Sequence, residues 1–208
     1  MMDREQLSNA GATRTSHWIK RRPAVNVHHA QRYSEMIGLP LRIFVTINFT
    51  LIGVPAGMAV QVFRKILTQR FAPWLRRCAA NRRVVAPTYV WVMEAASSHL
   101  AVHWLLHVPP ELLKTFRAKL LSWLSAASDH GALAPRAVKF QDVYSVIGMR
   151  RYMLKGTDPA WAKHLGVTHV PQGIVIGKRS GFSKNLGPTA RKSGGYSPRR
   201  LPLEPFAA

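Results

Sequence analysis

Apolar and polar residues along the chain alternate in some stretches and recur at helical spacing in others. Leu41 to Thr50 (LRIFVTINFT), rich in β-branched and aromatic residues, predicts a strand. Pro55 then opens a helical pattern to about Arg83. Val62, Ile66, Phe71, Trp74, Leu75 and Cys78 form its apolar side, among Arg64, Lys65, Arg70, Arg76 and Arg77. Pro73 lies inside this pattern, where its missing N–H is expected to kink or divide the helix. Tyr89 to Ala95 and His99 to Val108 read as two strands joined tightly at Ser97 and Ser98, hence a hairpin. Pro109-Pro110 ends it, and Leu112, Leu113, Phe116, Leu120, Trp123 and Leu124 predict a helix from Glu111 to about Ala126. A loop at Asp129-His130-Gly131 follows. Ala137 to Asp142 predicts a further strand, Val146 to Gly156 a helix, and Asp158-Pro159 a short helical stretch to about Leu165.

The order β-α-β-β-α-β-α fits an α+β domain over residues 41–166, an antiparallel sheet with helices packed on one face. Residues 1–40 are polar, basic and rich in Ser, Asn and His. Lys20-Arg21-Arg22-Pro23 is expected to break any helix there, which makes this a flexible basic arm. Residues 167–208 are rich in Gly, Pro and Ser, with seven basic residues and one acid after Pro171. They read as a flexible basic tail with a short ordered piece at Ile174 to Gly177. Ile43 to Phe63 carries no charge and is long enough to span a bilayer. Its Asn48, Gln61, Pro55 and two glycines, and its strand-like first part, favour a strand, a turn and a helix start instead. No membrane association is expected.

Charge adds the next constraint. Thirty Lys and Arg against nine Asp and Glu give a formal +21 over 208 residues. Such a chain repels itself unless a polyanion or counterions neutralise it, and nucleic acid is the commonest such partner. Charge alone does not separate DNA from RNA. Apolar residues still make up 47%, enough for a core. Cys78 is the only cysteine, which excludes an intramolecular disulfide and a cysteine-based zinc site and fits a reducing cytoplasm. Met1 to Ala10 lacks the apolar core of a secretory signal.

Two groups of residues carry candidate chemistry. Side chains two apart on a strand share a face, so His99, Ala101, His103, Leu105 and His107 project one way, and Glu94 ends the neighbouring strand. A carboxylate with imidazoles can hold a divalent cation; histidines on a half-buried strand are as often merely packed and hydrogen-bonded. Tyr152 and Lys155, three apart, share a helix face. A phenol with a pKa of about 10 is a weak nucleophile; a lysine or a metal beside it stabilises the phenolate and the phosphate charge. The same pair also suits a core aromatic and a solvated lysine. Trp91, Trp104 and Trp161 are possible base-stacking platforms or core residues.

Taken together, FVTINFT (Phe44 to Thr50), VWVMEAASSHLAVHWLLHVPP and RYMLKG (Arg151 to Gly156) resemble, in order, the three motifs of rolling-circle replication initiators of the HUH endonuclease superfamily. That superfamily has an RRM-like fold shared with conjugative relaxases. The match covers roughly residues 41–156. It implies Tyr152 as nucleophile and Glu94, His99 and His103 as ligands of Mg²⁺ or Mn²⁺, with His107 in reserve. Lys155 would neutralise charge on the phosphate or orient metal-bound water, and Arg150, Arg151, Lys178 and Arg179 would track the DNA backbone. The implied reaction joins the tyrosine to a 5′-phosphate of single-stranded DNA at a replication origin and frees a 3′-hydroxyl. One departure stands out: the first histidine of the His-hydrophobic-His pair falls at Ala101. Either His99 substitutes for it, or His103 pairs with His107. No Gly-x-x-x-x-Gly-Lys-Ser/Thr loop is present, so unwinding would fall to a host helicase, with a host polymerase extending the 3′ end. Two other readings stay open: a DNA-binding protein without catalysis on the same scaffold, which Ala101 suggests, and a basic RNA-binding protein, which only the charge suggests.

Overall fold

A computed structural model describes residues 14–78, 86–97, 99–128 and 131–198. In chain order the elements are β1 (Thr15–Ser16), α1 (Arg21–Met36), β2 (Ile43–Asn48), α2 (Phe49–Ile52) and α3 (Ala56–Lys65). A π-helical segment (Ile66–Phe71) leads into α4 (Ala72–Cys78), β3 (Tyr89–Ala96) and β4 (His99–Leu106). Then come α5 (Leu113–Ser125), β5 (Val138–Asp142), α6 (Val146–Leu154), α7 (Pro159–Ala162), β6 (Val175–Ile176), β7 (Ser180–Phe182) and α8 (Pro188–Ser193). The expected turn residue Ser98, the far end of the helix towards Arg83, and Asp129-His130 lie outside the described residues.

The protein is α+β, built on a five-stranded antiparallel sheet in the order β5-β2-β4-β3-β7. Strand alternation sorts the side chains onto two faces. Ile43, Val45, Ile47, Trp91, Met93, Val102, Trp104 and Leu106 join one buried cluster with α3, the π segment, α4 and α5. Trp104 is fully buried and meets Phe63, Phe71 and Phe116 edge-to-face, with centroids 4.9–5.7 Å apart. Such pairs each add about 0.5–1.5 kcal/mol beyond burial. The helix expected from Pro55 is continuous through Pro73. A π-helical segment ends just before Pro73, with Ala72 N donating to Leu67 O. The uncharged run Ile43 to Phe63 divides into β2, α2 and α3, with a left-handed turn at Gly53. No helix of the described residues is long and apolar enough to cross a membrane.

The second face is also covered. Phe44, Val90, Val92 and Leu105 pack with Ala24, Val27, Ala30 and Tyr33 of α1 and Met153 and Leu154 of α6. Residues 21–36 are therefore helix rather than flexible arm. Pro23 does not break that helix because it sits in the first turn, where its N–H has no intrahelical acceptor to lose. The expectation of a flexible tail from residue 167 fails over the described residues 167–198 for a related reason; residues 199–208 lie outside them. Its glycines mark close approach rather than disorder: a Cβ on Gly181 would stand 2.7 Å from the Trp91 ring, so only glycine lets β7 lie on β3. Ser183 N donates to Tyr89 O and the Ser183 hydroxyl accepts from Tyr89 N, closing the sheet edge. The ordered piece near 174–177 pairs β6 with β1.

His28 of α1 lies 2% exposed with neither ring nitrogen hydrogen-bonded. Burial, helped by the positive charges of Arg150, His29 and Arg32, lowers its pKa to about 3. The folded protein thus refuses a proton that the unfolded chain accepts below about 6.5. This contribution to stability is complete above pH 6.5 and is lost as pH falls from there towards 3. Urea unfolding at pH 7 and pH 5 should show wild type losing about 2 kcal/mol more than His28→Leu. Equal losses would show that His28 does not set the acid sensitivity.

Candidate functional site

The hairpin and α6 meet over the second face of the sheet. In the β3–β4 register Glu94 faces Ala101 and Val92 faces His103, while Thr46 of β2 faces His103 from the other side. Glu94, Thr46 and His103 thus share a face with Phe44, whose ring stacks on His103 with centroids 5.4 Å apart. Ser145 caps α6 by accepting from Gly148 N, and the helix delivers Tyr152 and Lys155 to the same spot from above. Backbone bonds fix its exit: Lys155 O accepts from Val170 N and Gly156 O from Ile19 N.

The contacts form a single network. His103 Nε2 lies 2.9 Å from Glu94 Oε2, and Lys155 Nζ donates to that same oxygen at 3.1 Å. His103 Nδ1 and Thr46 Oγ1 are 3.1 Å apart. The Tyr152 hydroxyl is 3.4 Å from His103 Nε2, and Lys155 Nζ sits 3.9 Å from the Tyr152 ring centroid. Glu94 and His103 are buried, at 6% and 5% exposure, whereas Tyr152 is 42% exposed. Burial pushes the Glu94 carboxyl up. The hydrogen bonds and charges of His103 and Lys155 more than offset this and hold its pKa below the ordinary carboxylate value.

This geometry supports proton movement at the phenol. With Nε2–H donated to Glu94, His103 accepts the Thr46 hydroxyl at Nδ1. In the other tautomer Nδ1–H donates to Thr46 Oγ1 and Nε2 turns a lone pair towards Tyr152. A threonine hydroxyl serves either state because it donates or accepts.

Not every expected site residue joins. His99 faces Ala96 at the exposed end of the hairpin. Four residues from His103, it stands about 13 Å away along the strand at about 3.3 Å per residue. His107 lies the same distance the other way, and its Nδ1 donates to the Pro40 carbonyl. Neither stands where the resemblance would place a ligand, at position 101. Among the described residues no group of three His, Cys, Asp or Glu gathers to hold a metal. Glu94 and His103 are two donors, one short of the usual His₂-carboxylate set, and an ammonium already neutralises the carboxylate. The residues present do not fit a chelating Mg²⁺ or Mn²⁺ site.

Arg179 is 5% exposed and is not a surface contact. Its guanidinium donates to Ser16 Oγ at 3.2 Å, to Ser16 O at 2.7 Å and to Gly173 O. Burial lowers its pKa to about 10, with the Glu94 charge opposing. Arg151 and Lys178 are exposed, Lys178 lying over Trp91, and Arg150 is half-buried near His28. Trp91 and Trp104 are core residues, and the Arg21 guanidinium lies 4.1 Å from the Trp161 ring centroid. Sequence reasoning assigned no role to Thr46 or Phe44. Their place beside His103 depends on the β2–β4 register, which alternation within one strand does not reveal. No family model, curated protein or solved structure matches the chain.

The register makes the missing ligand testable. Ala101 shares a face with His103 and lies opposite Glu94, so Ala101→His would complete a three-donor set. Titration with Mn²⁺ by calorimetry should show binding at least tenfold tighter in Ala101→His than in wild type. Equal affinities would mean that the pair Glu94 and His103 does not define a metal position.

Proposed function

We propose that this chain nicks and rejoins single-stranded DNA through a covalent bond to Tyr152, as an initiator of rolling-circle replication. The observation that carries the reading is a convergence. Tyr152 and Lys155 on α6, and Glu94 and His103 on the hairpin, come from segments about fifty residues apart, yet they share one hydrogen-bonded cluster. The +21 charge supports a polyanionic substrate, and the exposure of Tyr152 leaves its hydroxyl open to one.

In this reaction the Tyr152 oxygen attacks the scissile phosphorus and its proton passes to His103 Nε2. A tyrosine–phosphorus bond forms, the bond from phosphorus to the 3′-oxygen breaks, and the departing oxygen takes a proton to become a 3′-hydroxyl. Lys155 balances the negative charge on the phenolate and the phosphate. Glu94 holds the Lys155 ammonium in place and accepts the Nε2–H once His103 has taken the proton. The freed hydroxyl would prime a host polymerase, with a host helicase opening the duplex. Attack by a second 3′-hydroxyl on the tyrosyl phosphate reverses the step and joins the strands.

The test is incubation with a pool of single-stranded oligonucleotides, in Mn²⁺, in Mg²⁺ and in chelator, followed by denaturing electrophoresis. Wild type should form a covalent adduct that Tyr152→Phe does not form. Lys155→Met should slow adduct formation about 100-fold, the scale of a lost charge-stabilising group, with little change in DNA affinity. No adduct across the pool would sink the reading. If salt-sensitive DNA binding then persisted in Tyr152→Phe, the protein would be a binding scaffold without catalysis, the reading that Ala101 favours. Preference for structured RNA over single strands would move it out of DNA chemistry altogether.

A further inference from the structure

A cleft of about 600 Å³ opens beside this cluster, between the segment Arg14 to Lys20, the start of α1 and the turn into β7. Its volume is that of a small-ligand site, about 300–1,000 Å³. Its lining is basic and aromatic: Arg14, Arg22 and Lys178 are exposed on it, and Trp18 keeps 42% of its surface exposed there. No side chain caps α1, and no acidic residue stands in its first turn.

Buried Arg179 forms part of the wall. Its Nε and one terminal nitrogen bond Ser16 and Gly173, while Nη1 has no hydrogen-bond partner. A Cβ on Gly156 would lie 3.9 Å from Nη1, which places this spare donor beside the Lys155–Gly156 segment. The cleft's Ile19 is itself joined to Gly156 by a backbone hydrogen bond of 2.8 Å. The cleft is therefore joined to the Tyr152 cluster through two of its lining residues, Ile19 and Arg179.

We infer that the cleft seats a nucleotide of the single strand flanking the scissile phosphate, its base stacked on Trp18 and its phosphates held by Arg14, Arg22 and Lys178. This rests on the reading of the chain as a single-strand nuclease, and it names where the strand is gripped. A stacked base and a backbone phosphate are the two features that single-strand binders recognise without reading sequence. An aromatic platform ringed by guanidinium and ammonium groups offers both. A small dianion alone would leave the exposed face of Trp18 without use.

Fluorescence anisotropy of a labelled oligothymidylate, across a salt series, tests it. Trp18→Leu should weaken binding about tenfold, the size of one lost base stack, and Trp18→Phe should restore most of it. Arg22→Ala with Lys178→Ala should lower the slope of log affinity against log salt by about 0.7 for each contact removed. All these positions are exposed, and circular dichroism of each variant checks the fold. If wild type binds but these variants bind as tightly, the cleft is overturned while Tyr152 chemistry stands. If Tyr152→Phe and wild type alike form no adduct, yet Trp18→Leu still loses affinity, the cleft holds and the nuclease reading falls. If wild type does not bind single-stranded DNA, both fall.

Discussion

The buried carboxylate of Glu94 is the charge around which this structure is arranged. A carboxylate at 6% exposure is costly unless charge and hydrogen bonds compensate it. Its compensation comes from separate parts of the chain: His103 from β4, Lys155 from the end of α6, and at longer range Arg179 from the turn before β7. Each source demands a feature of the fold. The β3–β4 register must bring His103 diagonally next to Glu94. α6 must end where its Lys155 reaches down to the sheet. The C-terminal segment must fold back so that Arg179 lies near. Arg179 in turn bonds Ser16, and so ties the N-terminal strand to the same centre.

That arrangement explains why both ends of the chain were poorly legible in the sequence. Composition identified them as basic and rich in Gly, Pro or Ser, which usually means an unpacked tail. Here the same residues serve contacts that become visible only in three dimensions. Pro23 is harmless at the start of α1, Gly181 fits under Trp91, and Arg179 donates to Ser16 and Gly173 on its two flanks. The middle of the chain was legible because its signals are local. Alternation in β2, β3 and β4, and helical spacing in α3, α5 and α6, need no partner to be recognised. The site was legible to the same degree. Glu94, His103, Tyr152 and Lys155 carry a pattern in sequence; Thr46 and Phe44 acquire meaning only through pairing. His99 and His107 looked equivalent to His103 because alternation fixes a face but not a distance. Each lies about 13 Å away along the strand.

Net charge shapes the surroundings of this centre. Nine acidic side chains cannot neutralise thirty basic ones, whatever the pairing. Part of the excess lies over the second face of the sheet. Arg32, Arg150 and Arg191 all bear on the His28–His29 pair, and their field reinforces burial in keeping both imidazoles neutral. A polyanion laid along this side would relieve repulsion that the fold itself must otherwise tolerate.

The geometry also bears on how a tyrosine nucleophile would work here with an incomplete metal set. A divalent ion at such a site would withdraw charge from the phosphate, and an acid–imidazole cluster would hold it there. In this chain the position opposite Glu94 is Ala101, and the carboxylate oxygen nearest His103 is taken by the Lys155 ammonium. That ammonium lies between the carboxylate and the Tyr152 ring, so one cation touches both the group that must stay ionised and the group that must become so. A single charge less than 4 Å from each cannot match the field of a divalent ion. It is nevertheless fixed by the backbone bonds that hold Lys155 and Gly156, and it requires no ligand that the sequence lacks. The proposed reaction therefore needs no second histidine at position 101: Lys155 stays bonded to Glu94 while His103 turns its lone pair to the phenol.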